Sequence, residues 1–248
     1  MKQDQPNIDL VKTSFAKMES KEDFLALLNL AKPMIYGEKA IPFQMKQITW
    51  YSNPNAGGKR YITFKIKKKS GADRLINAPV KGLKVLQRTL CFILQCVFEP
   101  HEAATGFVLN KSIVDNARPH EGSLYVFNID LKDFFSSIDQ ARVWKCLQLR
   151  PFNLNCNKNY RLSLKDVKAH RKNQKSIIFN QDGRLKIANM IAAICCTELE
   201  VERKNETGEW ITIKRNVLPQ GAPTSPLFTN VVCQRLDYLL TGVAKRFG

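Results

Sequence analysis

Several features that mark other protein classes are missing from this chain of 248 residues. No apolar run approaches the roughly 20 residues that a helix needs to cross a bilayer. The first residues lack the apolar stretch of a secretory signal peptide. The seven cysteines form no Cys-x-x-Cys pair, so neither a disulfide framework nor a zinc site is indicated. We therefore expect a protein that is neither membrane-bound nor secreted, with reduced thiols in the cytoplasm.

Acidic residues are scarce as well. The chain has 22 Asp and Glu against 39 Lys and Arg, a formal net charge of +17 at pH 7. Residues 57–90 hold ten Lys or Arg and one acid, and residues 150–175 hold eight and one. An excess of this size favours a polyanionic partner, most often nucleic acid. For the second cluster, a solvated face and a binding surface are equally good interpretations.

Hydrophobic periodicity predicts an α+β fold in which helices and antiparallel strands mix without regular alternation. Helices are predicted at residues 21–31, from Pro79 to just before Pro100, from a capping box at 137–140, and at 187–196 and 225–239. Strands are predicted at residues 60–67, 74–77 and 124–131, and a hairpin at 198–204 and 210–216. Residues 124–131 are almost wholly apolar, as expected of a strand buried on both faces. Residues 150–185 are irregular and basic, like an inserted loop region.

The first pair of predicted strands carries cations near its tip. If Ser70-Gly71 forms a two-residue turn, Lys67 lies directly opposite Arg74 and both side chains project from one face. Two opposed cations are destabilising unless an anion lies between them, which predicts a phosphate clamp for a nucleoside triphosphate. A longer loop would shift the register and weaken this prediction.

Two further segments carry residues suited to chemistry. Asp130 ends the apolar strand, either as a hydrogen-bonded strand-end residue or as a ligand for a hard cation such as Mg²⁺. Asp133 is expected to cap the turn into the following helix. Residues 218–226 hold three prolines and one glycine, and this stiff contour suits either a ligand surface or a rigid turn between domains.

Motifs in a fixed order resemble those of one family. Phe127-Asn-Ile-Asp-Leu-Lys-Asp-Phe-Phe135 resembles the first catalytic motif of reverse transcriptases, and Leu218-Pro-Gln-Gly-Ala-Pro-Thr-Ser-Pro226 resembles their template-grip motif. The hairpin Phe64-Lys-Ile-Lys-Lys-Lys-Ser-Gly-Ala-Asp-Arg74 is similar to their fingertip segment. Asn116-Ala-Arg-Pro-His120 resembles the Asn-Ala-x-x-His signature of the retron branch, and the Gln-Gly-Ala-Pro-Thr-Ser-Pro wording is similar to that branch too.

The resemblance implies a right-hand polymerase architecture, fingers plus an incomplete palm, and roles for the matching residues. Asp130 would bind catalytic Mg²⁺ with help from the Leu131 carbonyl, and Phe135 would exclude a 2′-hydroxyl and so select deoxynucleotides. The other residues implied to bind the nucleotide are Lys67, Arg74, Gln220 and Gly221. The residues expected to contact RNA are Asn116, His120, Lys68 and Lys69.

The same resemblance implies a division of the chain. An N-terminal helical segment would occupy residues 1–50, and fingers with the hairpin residues 51–123. The palm strand with Asp130 would occupy residues 124–138. A helix, the basic insertion and a second hairpin would fill residues 139–217, and the template-grip turn with a palm helix residues 218–248.

The sequence departs from the family because it contains no Asp-Asp pair. The resemblance also implies that the rest of the palm and the thumb, with the family's Val-Thr-Gly element, are absent from this chain. Two-metal phosphoryl transfer needs several carboxylates, so we expect an inactive piece of a longer polymerase. The expected whole protein is a retron-type RNA-directed DNA polymerase that copies a structured non-coding RNA into DNA from deoxynucleoside triphosphates, in phage defence. The alternatives are a non-catalytic basic RNA-binding module and an abortive-infection or group II intron-type reverse transcriptase.

Overall fold

Helices dominate the structure, and antiparallel hairpins are attached to them. The computed structural model describes residues 5–53, 60–67, 71, 73–155 and 183–247. The helices in these ranges are α1 (Gln5–Lys17), α2 (Lys21–Tyr36), α3 (Met45–Ser52), α4 (Lys81–Val97), α5 (Ile113–Ala117), α6 (Phe134–Ser137), α7 (Gln140–Gln148), α8 (Gly183–Cys195) and α9 (Ser225–Phe247). The strands are β1 (Tyr61–Lys67) paired with β2 (Asp73–Pro79), and β3 (Thr197–Lys204) paired with β4 (Trp210–Val217). This mixture confirms the α+β class.

Helix α4 lies at the centre of the core. Leu83, Leu86, Leu90 and Ile93 follow each other at steps of three and four residues and are fully buried. Helices α1, α2 and α8 pack against α4, and α8 also packs against α3 and α7. The predicted apolar face is confirmed, but the predicted start of the helix is wrong. Pro79 is the last residue of β2, where it pairs with Tyr61, and the helix begins two residues later.

Helix α2 begins at the predicted cap. Ser20 Oγ accepts a hydrogen bond from the Asp23 amide at 3.1 Å, and the Asp23 carboxylate accepts one from the Ser20 amide at 2.9 Å. The amide of Glu19, which donates to the same carboxylate, is the largest cause of the lowered pKa of Asp23. This capping box satisfies amide groups that the first turn of a helix leaves without partners.

The predicted strand at residues 124–131 is not formed, and this prediction was wrong. The segment has no regular secondary structure and is exposed, with the Phe127 side chain 88% accessible. A strand buried on both faces needs neighbouring strands to pair with its N–H and C=O groups. Among the residues that the structure describes, no strand pairs with this segment. The apolar composition of residues 124–131 is typical of a buried strand, but the described residues provide no neighbouring strand to pair with it.

Two predicted helix boundaries also differ. Ser137 does not cap α7, because it is the last residue of α6 and its hydroxyl donates to the Phe134 carbonyl at 2.6 Å. Asp139 precedes α7 without a side-chain cap. Helix α9 continues to Phe247, past Gly242, because one glycine inside a long helix costs only about 1 kcal/mol.

The predictions on cysteines and on membrane spans can be compared with the structure. The six described cysteines are free, and burial raises the pKa of Cys91 and of Cys195 to about 12, so both thiols are protonated at neutral pH. Within the described ranges, no helix has the length and apolar character of a membrane span. Residues 156–182 of the predicted insertion, together with Lys68 and Lys69, lie outside the described residues.

Candidate nucleotide and metal site

The register of the first hairpin overturns the predicted opposition of two cations. Lys67 pairs with Asp73, and Arg74 pairs with Ile66, because five residues and not two connect the strands. A shift of one residue moves a side chain to the other face of a sheet, so Lys67 and Arg74 project from opposite faces. Lys65 forms an exposed ion pair with Asp73 at 3.4 Å on the Lys67 face. The geometric argument for a clamp between directly opposed cations is therefore wrong.

The two faces of this hairpin differ in character. One carries Lys65 and Lys67 together with Asp73, so its positive charge is partly neutralised. The other carries the exposed apolar side chains Phe64 and Ile66 beside Arg74. A flat apolar face with one cation suits the stacking of a base or sugar, whereas the opposite face offers point charges for phosphate.

The proline-rich turn at residues 218–226 docks on strand β2. The Asn77 amide donates to the Gln220 carbonyl at 2.7 Å, and the Asn77 side-chain oxygen accepts from Thr63 Oγ1 at 2.8 Å. Asn77 is 3% exposed, and its bond to Thr63 is partly buried. The Ser225 hydroxyl donates to the Pro219 carbonyl at 2.7 Å and closes the turn. The hairpin and the proline-rich turn thus form one unit.

Gly221 permits this close approach. Its φ of +118° is rare for residues with a side chain, and an added Cβ would lie 3.0 Å from the Asn77 carbonyl oxygen. The glycine of the motif is therefore needed to pack the turn on β2. Sequence reasoning missed Asn77, for which the only signal is an amide residue placed among apolar residues at the end of a strand.

Asp130 lies in an exposed stretch just before α6. None of the ion pairs in the described part of the chain uses its carboxylate. Carboxylate oxygens and the main-chain carbonyl of Leu131 are hard donors of the kind that Mg²⁺ prefers, so both residues fit that ion. The described ranges contain no group of three or more His, Cys, Asp or Glu side chains arranged to hold a metal. These two residues can therefore supply only part of a coordination shell.

Asp133 and Phe135 follow in the same segment. Asp133 precedes α6 with a left-handed φ of 51°, but its side chain makes no capping hydrogen bond, so the predicted cap is wrong. Its carbonyl accepts a hydrogen bond from the Ser137 amide at 3.0 Å. Phe135 is half-buried, and its ring centroid lies 6.2 Å from that of Phe107. Phe134 packs against the core and fixes one side of the short helix.

Asn116 and His120 line an open groove of about 1030 Å³. Val126, Phe127 and Asn128 also line this groove, and Asn128 lies two residues before Asp130 in the sequence. The Asn116 side-chain oxygen accepts a hydrogen bond from Thr105 Oγ1 at 2.9 Å, which orients the amide. The structure thus brings the Asn-Ala-x-x-His segment beside residues 126–128, which follow it closely in the sequence.

Comparison with known proteins assigns these segments to one family. Residues 66–245 match the sequence profile described as reverse transcriptase (RNA-dependent DNA polymerase). The retron Mx162 and Mx65 reverse transcriptases of Myxococcus xanthus are each 30% identical to the chain, over 85% and 79% of its length. The retron Ec86 reverse transcriptase of Escherichia coli is 28% identical over 75% of it. The matched stretches span only 38%, 39% and 43% of these relatives.

Proposed function

The chain belongs to the reverse transcriptase (RNA-dependent DNA polymerase) family, and we propose that the whole protein copies RNA into DNA. One observation carries the proposal: inside the matched range, the Asp130 carboxylate is exposed, makes no ion pair with any residue that the structure describes, and lies five residues before Phe135. A polymerase needs such an accessible carboxylate beside the nucleotide. The proposal concerns the whole protein, since the chain spans about two fifths of the length of its relatives.

The metal site of this proposal begins at Asp130. The Asp130 carboxylate and the Leu131 carbonyl would hold Mg²⁺, and further carboxylates would come from residues outside those described. When bound, Mg²⁺ supplies charge neutralisation to a transferring phosphoryl group, and a pair of ions aligns the attacking and leaving oxygens.

The chain's own residues would position the nucleotide. Phe135 would lie against the sugar and leave no room for a 2′-hydroxyl. Lys67 or Arg74 would bind the triphosphate, each from its own face of the first hairpin. Gln220 and Gly221 would line the nucleotide and the template strand, and their contact with Asn77 holds that surface against β2.

The template side would involve the groove beside Asp130. Asn116 and His120 would contact a structured non-coding RNA there, and we propose that Lys68 and Lys69 contact the same RNA. The similarity to retron reverse transcriptases supports an RNA partner of this kind. The proposal extends to a fingers and palm division, a cytoplasmic location and a role of the whole protein in phage defence.

A second candidate function is RNA binding without catalysis. It is favoured by the net charge of +17 and by the absence of an Asp-Asp pair from the sequence. It predicts RNA binding that weakens with salt, together with no nucleotide incorporation.

Primer extension separates the two functions. The whole protein, given an RNA template, a primer, deoxynucleotides and Mg²⁺, is expected to extend the primer, and EDTA is expected to stop extension. Absence of extension by the wild-type protein, with RNA binding retained, would contradict the polymerase proposal and support the binding module.

A further inference from the structure

Helix α6 is too short to be stable without contacts to the rest of the protein. It consists of the four residues Phe134–Ser137, and a single turn is unstable in water without outside contacts. It nevertheless carries Phe135, whose proposed role depends on where its ring lies. Phe134 anchors one side in the core, so the other end of α6 needs a separate support.

Arg203 on strand β3 supplies that support. Its Nη2 donates to the Ser136 carbonyl at 2.8 Å and to Asp139 Oδ1 at 3.1 Å. Its Nη1 donates to the Glu202 carbonyl at 3.1 Å, which holds the guanidinium group in place. The Arg203 side chain is only 28% exposed. The Ser136 carbonyl is at the last turn of α6, where a cation is favoured by the helix dipole and by the lack of an intrahelical donor.

The base of the second hairpin holds the same segment through its backbone. The Leu218 amide donates to the Ile138 carbonyl at 3.1 Å, and Asp139 forms an antiparallel bridge with Val217. Leu218 is the first residue of the turn that carries Gln220. The β3–β4 hairpin therefore connects residues 136–139 to the proline-rich turn. Arg203 is a side chain of this hairpin that contacts residues 136–139.

We propose that Arg203 is a positioning residue for nucleotide selection, acting through the backbone of residues 136–139 to fix the Phe135 ring. This inference rests on the proposed function. A planar guanidinium can bond a carbonyl and a carboxylate at once, whereas a lysine ammonium offers a point charge without that fork. Loss of the fork would free the end of α6, and a shift of about 1 Å at a reacting site can cost about 100-fold.

The test measures selectivity in the whole protein. For Arg203→Ala, Arg203→Lys and the wild type, kcat/KM is determined for one deoxynucleotide and its ribonucleotide on an RNA template, together with the thermal unfolding midpoint. We expect Arg203→Ala to lower the ratio of the two kcat/KM values about tenfold or more, and Arg203→Lys to lower it less. The matched control is Arg215→Ala, an exposed arginine of the same hairpin, which is expected to leave the ratio unchanged.

Several outcomes overturn the inference. An unchanged ratio in Arg203→Ala does so, and so does an equal fall in kcat/KM for both nucleotides, which is the mark of a structural role alone. If Arg203→Ala fails to fold, Asp139→Asn provides a second test, because it removes the charge of the carboxylate that Arg203 contacts and leaves Arg203 in place. An unchanged ratio of the two kcat/KM values in both Asp139→Asn and Arg203→Lys also overturns the inference. A wild type that incorporates no deoxynucleotide contradicts the proposed function instead.

Discussion

At the scale of single residues, the proline-rich turn shows how one position can serve packing and ligand binding together. Gly221 is implied to line the nucleotide, but its observed contacts are with Ile76 and Asn77 of β2. A residue with a side chain would be strained at this φ, and its Cβ would lie too close to strand β2. The glycine is thus required by the fold even before any ligand binds.

Gly221→Ala is expected to destabilise the protein by about 1–3 kcal/mol, the cost of a non-glycine residue in a strained backbone region. Urea unfolding followed by circular dichroism measures the change. Gly242→Ala is the control, because Gly242 lies inside α9 with no atom within 4 Å of an added Cβ. That substitution should stabilise the protein by about 0.5–1 kcal/mol. Equal effects of the two would contradict the packing described for Gly221.

Short motifs predicted Asp130, Phe135 and the Gln-Gly pair as site residues, because each motif lies within a few consecutive residues. The roles of these residues stay predictions. Asn77 could not be found, since its importance comes from a contact with Gln220 more than one hundred residues away. Arg203 was missed for the same reason, because its partners Ser136 and Asp139 are distant in the sequence.

At the scale of elements, amphipathic helices and hairpins were predictable and the exposed segment was not. Helix α4 and the β3–β4 hairpin are identified by periodicity, since their own side chains determine which face is buried. Residues 124–131 have the composition of a doubly covered strand, but strand formation depends on partners elsewhere. The predicted register of β1 and β2 is wrong because the length of the connecting loop determines the register. The sequence is compatible with both a short and a long loop.

The register has a measurable consequence for triphosphate binding. Because Lys67 and Arg74 lie on opposite faces, substitutions to Ala should act independently. We expect at least one single variant to raise the KM for deoxynucleotide. The double variant should show the sum of the single free-energy changes within about 0.5 kcal/mol. Coupling well beyond that value would indicate a shared phosphate and contradict the register, and unchanged KM in both variants would remove the hairpin from the triphosphate site.

At the scale of the whole molecule, the net charge of +17 gives a prediction that does not depend on catalysis. RNA affinity is expected to fall about a thousandfold between 50 and 200 mM salt, as for about six phosphate contacts. Fluorescence anisotropy of a labelled RNA at several salt concentrations measures the slope.

Single variants locate the contacts. Arg118→Ala, in the groove beside Asp130, should reduce the slope of log affinity against log salt by about one. Lys21→Ala, whose partner is Glu22 on the exposed start of α2, should leave the slope unchanged. Equal slopes of log affinity against log salt for both variants and the wild type would show that the RNA does not contact Arg118 in this groove.

The central claim is that Asp130 is a metal ligand of a polymerase. The most direct measurement compares primer extension on RNA by the whole protein with Asp130→Asn and Asp133→Asn variants. Asparagine tolerates the left-handed backbone of Asp133, so this neighbouring variant should keep activity within a few-fold of wild type. Asp130→Asn should lose activity by about a thousandfold or more while unfolding at the same temperature, since the amide cannot replace a charged ligand. Comparable extension by Asp130→Asn and the wild type would contradict the account.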